Sequence, residues 1–118
     1  MAKSVVIIIT KVPYGHESVY GGLYTAIACS DRNLLAIVIL LDDGVYSAMK
    51  GQASENLSYP CIEDLFYTLA PNVKVYVHEQ SMVERGIERD RLIEIVEVIE
   101  DKRLLALLRE HGDAIIKY

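Results

Sequence analysis

Long apolar runs are missing from this sequence, and so are the common catalytic and nucleotide-binding signatures. No stretch approaches the ~20 apolar residues that a membrane-spanning helix needs. The N-terminal apolar run, Val5 to Ile9 after Lys3, is too short for a secretory signal, and no A-x-A pattern follows it. A cytoplasmic protein is expected, with no membrane contact. Cysteine occurs only twice, so no disulfide framework is available and both thiols are expected to be reduced. The sequence contains no G-x-x-x-x-G-K-[ST], no G-x-G-x-x-G and no G-x-S-x-G, which removes the usual grounds for a nucleotide site or a serine hydrolase. A basic patch is also lacking. The formal net charge is -5 and lysines and arginines are scattered. Such a surface repels phosphate, so direct nucleic-acid binding is not expected.

What is present fits one domain over residues 1–118. A chain of this length buries roughly two-thirds of its unfolded surface, enough for a real core. Apolar residues make up 52% of the chain, and the mean hydropathy is +0.21. That is oily for a lone soluble subunit, so some apolar surface is expected to be covered by a partner.

Buried strands and amphipathic segments alternate along the chain. "SVVIIIT" (4–10) and "NLLAIVILL" (33–41) are continuous apolar runs, as in strands covered on both faces. A helix is predicted from Glu17 to Asp31, with Val19, Leu23, Ala26, Ile27 and Ser30 on one face. Gly21 and Gly22 inside it imply close packing on a sheet. Further helices are predicted over 43–52, 61–70 and 101–112, with Gly112 as a stop signal. Strands are predicted over 73–78, 93–99 and 114–118; charges in the 93–99 run point to an edge position. Residues 80–92 read as a loop with one helical turn. Together these predict an α/β domain with a five-stranded, mostly parallel sheet and helices on both faces. Leu35, Ile37 and Ile39 are expected in its central strand, buried beneath helices.

In such folds reactive groups gather beyond the C-terminal ends of the strands. Those ends are Lys11–His16, Asp42–Gly44, His78–Ser81 and Glu100–Asp101. The adjacent Asp42 and Asp43, followed by Gly44, suit a strand-end turn. Aspartate caps helix N–H groups and faces the positive end of the helix dipole, and glycine relaxes the bend. A paired-carboxylate acid/base or Mg²⁺ site is the functional alternative. No further acid or histidine recurs at metal-ligand spacing, so no metal is expected. A receiver domain would need an acidic pair after the first strand, which is missing. His16, His78 and His111 lie far apart and form no metal signature. Cys29, late in the first helix, suits a small buried apolar residue. Cys61 follows Pro60 at a helix start, a place that favours thiolate; simple packing is the alternative.

Three segments in order, "DDGVYSAMKGQ" (42–52), "SMVERGI" (81–87) and "LLREHGDAIIKY" (107–118), resemble the DsrE/DsrF-like family, and its TusC/DsrF branch in particular. The opening "KVPYGHESVYGGLYTAIACSD" (11–31) is also similar to the family's first loop and helix. The resemblance singles out Ser81, Arg85 and Gly86 as the family turn. It implies a small cytoplasmic α/β subunit that assembles with DsrE/TusD-like and DsrH/TusB-like paralogues. Such complexes relay persulfide sulfur toward tRNA thiolation or in sulfur oxidation. Sulfur-carrying relatives place their active cysteine seven residues before the arginine of R-G. Here that position is His78, which implies a subunit without its own carrier thiol, and without cofactor or independent enzyme activity. His78 is then either a helper of a neighbouring subunit's thiolate or a strand-end histidine hydrogen-bonded to a local loop. The competing expectations are a stand-alone sulfurtransferase using Cys61 or Cys29, and a homo-oligomer that binds a small ligand at the strand ends. Tyr20, Tyr24, Tyr46 and Tyr59 are candidates for interface contacts, since a tyrosine buries its ring and keeps a polar partner.

Overall fold

β-Branched residues have stiff side chains that suit a pleated surface, and the apolar runs of the sequence do form strands. The computed structural model describes residues 4–12, 18–50, 62–69 and 72–118. Its strands are β1 (Ser4–Ile9), β2 (Leu35–Leu40), β3 (Lys74–His78), β4 (Val96–Ile99) and β5 (Ala114–Lys117). Its helices are α1 (Ser18–Asp31), α2 (Ile62–Leu69), α3 (Glu79–Glu84) and α4 (Asp101–His111), with 3-10 segments at Asp42–Ala48 and Arg89–Arg91. The strands form one sheet in the order β4-β3-β2-β1-β5, and every neighbouring pair is parallel.

That order decides where the helices lie. The chain steps in one direction from β1 to β4, then returns past the whole sheet to place β5 beside β1. Right-handed crossovers therefore put α1, α2 and α3 on one face and α4 alone on the other. The packing agrees. Val5, Ile7 and Ile9 of β1 share a core with Val19 and Leu23 of α1, Phe66 of α2 and Met82 of α3. Val6, Ile37, Ile39, Tyr76 and Ile99 pack on the other face against Leu107 of α4. Gly21 and Gly22 are explained by close packing. A Cβ on Gly22 would lie 2.9 Å from Ile9 Cδ1, and one on Gly21 would lie 3.1 Å from the Tyr118 ring. The Tyr118 hydroxyl reaches Thr25 Oγ1 at 2.6 Å, which holds the ring across the glycine pair.

Several expected boundaries move. The helix predicted over 43–52 is instead a 3-10 segment, Asp42–Ala48; Gly51 and Gln52 lie outside the described residues. Its continuation is drawn into extended pairing, with Lys50 N–H donating to Arg91 O (2.8 Å) and Ile93 N–H to Ala48 O (2.8 Å). The same pairing takes Ile93 out of the predicted 93–99 strand, which shortens to Val96–Ile99. It remains an edge strand. Within β2, Ile37 and Ile39 are buried but Leu35, at the strand's start, is 42% exposed. Tyr20 is buried in the core rather than available at a surface. Tyr59 and His16 lie outside the described residues.

Candidate functional site

Because β2, β3 and β4 are neighbours in the sheet, their C-terminal ends lie side by side. Each end supplies one part of a polar cluster: Asp42–Gly44 after β2, His78 and Ser81 after β3, and Asp101 after β4.

At the end of β2, Leu41 N–H still bonds to Ile9 O of β1 (3.0 Å), and the chain then turns sharply. Asp42 takes the left-handed conformation (φ 50°), which a short polar side chain tolerates better than most residues. Gly44 lies directly on the β1 backbone: a Cβ there would be 2.1 Å from Ile9 O. No side chain larger than hydrogen fits that approach. The expected capping role of the two aspartates is corrected. The residue at the N-cap position is Leu41, and no side-chain cap bond forms there. Instead the Asp42 backbone N–H donates to Ser81 Oγ (2.9 Å), and the Asp43 carboxylate accepts from Arg85 Nε (3.0 Å).

The turn after β3 has its own local logic. α3 ends in a left-handed glycine, Gly86 (φ 67°). Gly86 N–H donates to Val83 O (3.2 Å) and Ile87 N–H to Met82 O (3.0 Å). These are the paired bonds of a Schellman stop. Its usual apolar contact is supplied by Ile87 and Met82, both buried in the larger core. Arg85 extends back from this turn, and its Nη1 donates to Ser81 O (3.2 Å). The S-M-V-E-R-G-I segment thus stops a helix and also ties it to the β2 turn.

His78, the last residue of β3, is the centre of the cluster. Its Nδ1 lies 2.8 Å from Ser81 Oγ, and its Nε2 contacts the Asp101 carboxylate. The imidazole is mostly covered, with 13% of its side chain exposed, whereas Asp101 is 77% exposed. Ser81 is buried. Among the described residues no group of three or more His, Cys, Asp or Glu could hold a metal ion. What the arrangement can do is fix one imidazole in a defined orientation at the rim of the sheet.

Cys29 is partly buried against the larger core. It lies late in α1, a helix that starts beyond the end of β1 and finishes where β2 begins. It therefore sits by the N-terminal ends of the strands, opposite to the C-terminal ends that carry His78. Cys61 lies outside the described residues. Asp101 was visible in the sequence only as one strand-end acid; its pairing with His78 depends on β3 and β4 being neighbours, which only the strand order reveals. Among the described residues no helix is long and apolar enough to cross a membrane.

The chain is similar to known proteins along its whole length. It is 27% identical to the intracellular sulfur oxidation protein DsrF of Allochromatium vinosum, over 92% of this chain and 90% of that one. It is 30% identical to a TusC homolog of Pseudomonas aeruginosa, over 98% of both chains. The crystal structure of the ychN protein from E. coli superposes with a TM-score of 0.88 at 29% identity, covering 100% of both chains. The model of the DsrE/DsrF-like family matches residues 3–118, and the chain belongs to that family.

Proposed function

We propose that the chain is a non-carrier subunit of a persulfide-relay complex, assembled with DsrE/TusD-like and DsrH/TusB-like paralogues. The single observation that carries this reading is the residue at the carrier position. Sulfur-carrying relatives have a cysteine seven residues before the R-G arginine; this chain has His78 there, with both ring nitrogens engaged by Ser81 and Asp101. Among the described residues no thiol lies at that strand end. The names of the DsrF and TusC relatives support the relay context at the level of the family; tRNA thiolation and sulfur oxidation are the two pathways that the resemblance implies. A stand-alone sulfurtransferase using Cys29 gains no support from its place by the N-terminal ends of the strands.

Incubation with a low-molecular-weight persulfide donor, followed by intact-mass measurement, tests this reading. The expected result is a chain that gains no sulfur under conditions that load a DsrE/TusD-like partner. A one-sulfur mass gain that disappears in Cys61→Ser or Cys29→Ser would overturn it.

A further inference from the structure

The hydrogen bonds around His78 run in one direction. Ser81 Oγ already accepts the Asp42 backbone N–H, a group that can only donate. The hydroxyl has one proton of its own, and His78 Nδ1 lies 2.8 Å away. If that proton points to Nδ1, the nitrogen is the acceptor and the ring proton sits on Nε2. Nε2–H then donates to the Asp101 carboxylate, which can only accept when ionised. With the opposite tautomer, Nδ1–H and Asp42 N–H would both donate to Ser81, and Nε2 would face a carboxylate with no proton between them. Of the two neutral tautomers, only the first lets every group donate or accept.

Burial makes this arrangement one-sided. Ser81 is 2% exposed and is held by the β2 turn, so the inner end of the imidazole is fixed. The outer end pairs with a side chain that water reaches freely. An exposed charged partner is weakly held, because hydration compensates its loss. The acid is therefore the replaceable member of the chain.

We infer that His78 acts as a fixed-tautomer hydrogen-bond donor, offering Nε2–H to an anionic sulfur once Asp101 swings aside, and that Ser81 is the positioning residue that sets the tautomer. The identity of the anion, a thiolate or persulfide of a partner subunit, rests on the relay function proposed above; the donor geometry does not. In this role the imidazole removes no proton from the sulfur. It stabilises an anion that is already formed, at the strand end where carrier relatives keep their own sulfur.

Nitrogen-15 spectra of histidine-labelled protein in its neutral-imidazole state test this directly, with the His78 signals assigned by their loss in His78→Gln. The expected spectrum is that of the Nε2–H tautomer. Ser81→Ala should release a mixture of both tautomers, and Ser81→Thr should restore the single one. A wild-type Nδ1–H tautomer, or a Ser81→Ala spectrum unchanged from wild type, would overturn the inference. Asp101→Ala, a change at an exposed position, provides a second measurement that does not depend on the buried serine. Titration with hydrosulfide should perturb Nε2 of His78 at several-fold lower concentration in this variant than in wild type; equal titrations would overturn the donor role. These results are separable from the relay reading. Hydrosulfide binding as expected, with a partner complex that moves sulfur equally well without this chain, would remove the relay function and leave the donor geometry standing.

Discussion

Gly44 and Gly86 are both singled out by the sequence, yet the structure uses them for different reasons, and substitution separates the two. A Cβ at Gly44 would meet the Ile9 backbone at 2.1 Å, and backbone cannot rotate away as a side chain can. Gly44→Ala is expected to cost about 3 kcal/mol through forced displacement of β1 or the turn. At Gly86 a Cβ would meet nothing within 4 Å, and the strain is only that of the positive φ. Gly86→Ala should cost about 1–2 kcal/mol. Urea unfolding of both variants checks the order; equal losses would contradict the close approach at Gly44. The same contrast marks what was legible at this scale. The Asp-Asp-Gly turn and the R-G stop follow from local chemistry, so the residues stand out in the sequence. Their partners do not. Asp42 bonds Ser81 from 39 residues away and Asp43 pairs with Arg85 from 42 away. A cap is the local use of an aspartate carboxylate; here that of Asp43 is taken by the distant Arg85, and Asp42 contributes only its backbone N–H to Ser81. The Asp43–Arg85 pair is half-exposed, so Arg85→Ala is expected to lose only about 1 kcal/mol. A loss well above that would mean that the donation from Arg85 to Ser81 O contributes more than the ion pair.

At the scale of elements, β2 is the strand on which the sheet is centred, flanked by β1 and β3 and covered on both faces. Ile37 is 2% exposed and belongs to the face covered by α4. Ile37→Ala is expected to destabilise by about 2–5 kcal/mol, measured by denaturant unfolding. Leu35, two residues earlier and 42% exposed, should lose about 1 kcal/mol or less as Leu35→Ala. Similar losses at the two positions would place the α4 face wrongly. Continuous β-branched runs made the core strands legible, because their period and composition are local properties. The readings of 43–50 as helix and of 93–95 as strand fail for the opposite reason. The extended pairing of these segments, centred on the antiparallel bridge between Met49 and Leu92, joins parts of the chain that no local pattern links. The glycine pair of α1 was rightly read as a contact, although the ring that crosses it, Tyr118, comes from the far end of the chain.

For the whole molecule, the strand order leaves β4 and β5 at the two edges of the sheet, and a single helix covers one face. Leu105 of α4, Ile115 of β5 and Tyr24 of α1 are exposed. Open edges and exposed apolar groups favour association, so the isolated chain is expected to form a closed oligomer. Sedimentation equilibrium at micromolar concentration checks this; a single species at 13.3 kDa with no concentration dependence would refute it. The central claim, a relay subunit without a carrier thiol, is tested most directly in the assembly itself. The chain would be affinity-purified from its own cells, identified by native mass spectrometry, and its complex loaded with a persulfide donor before the sulfur is mapped by subunit. The account predicts a complex containing DsrE/TusD-like and DsrH/TusB-like paralogues, with the transferable sulfur on a paralogue's cysteine and none on this chain. Sulfur carried by this chain's own Cys29 or Cys61, in a species that contains no paralogue, would contradict it.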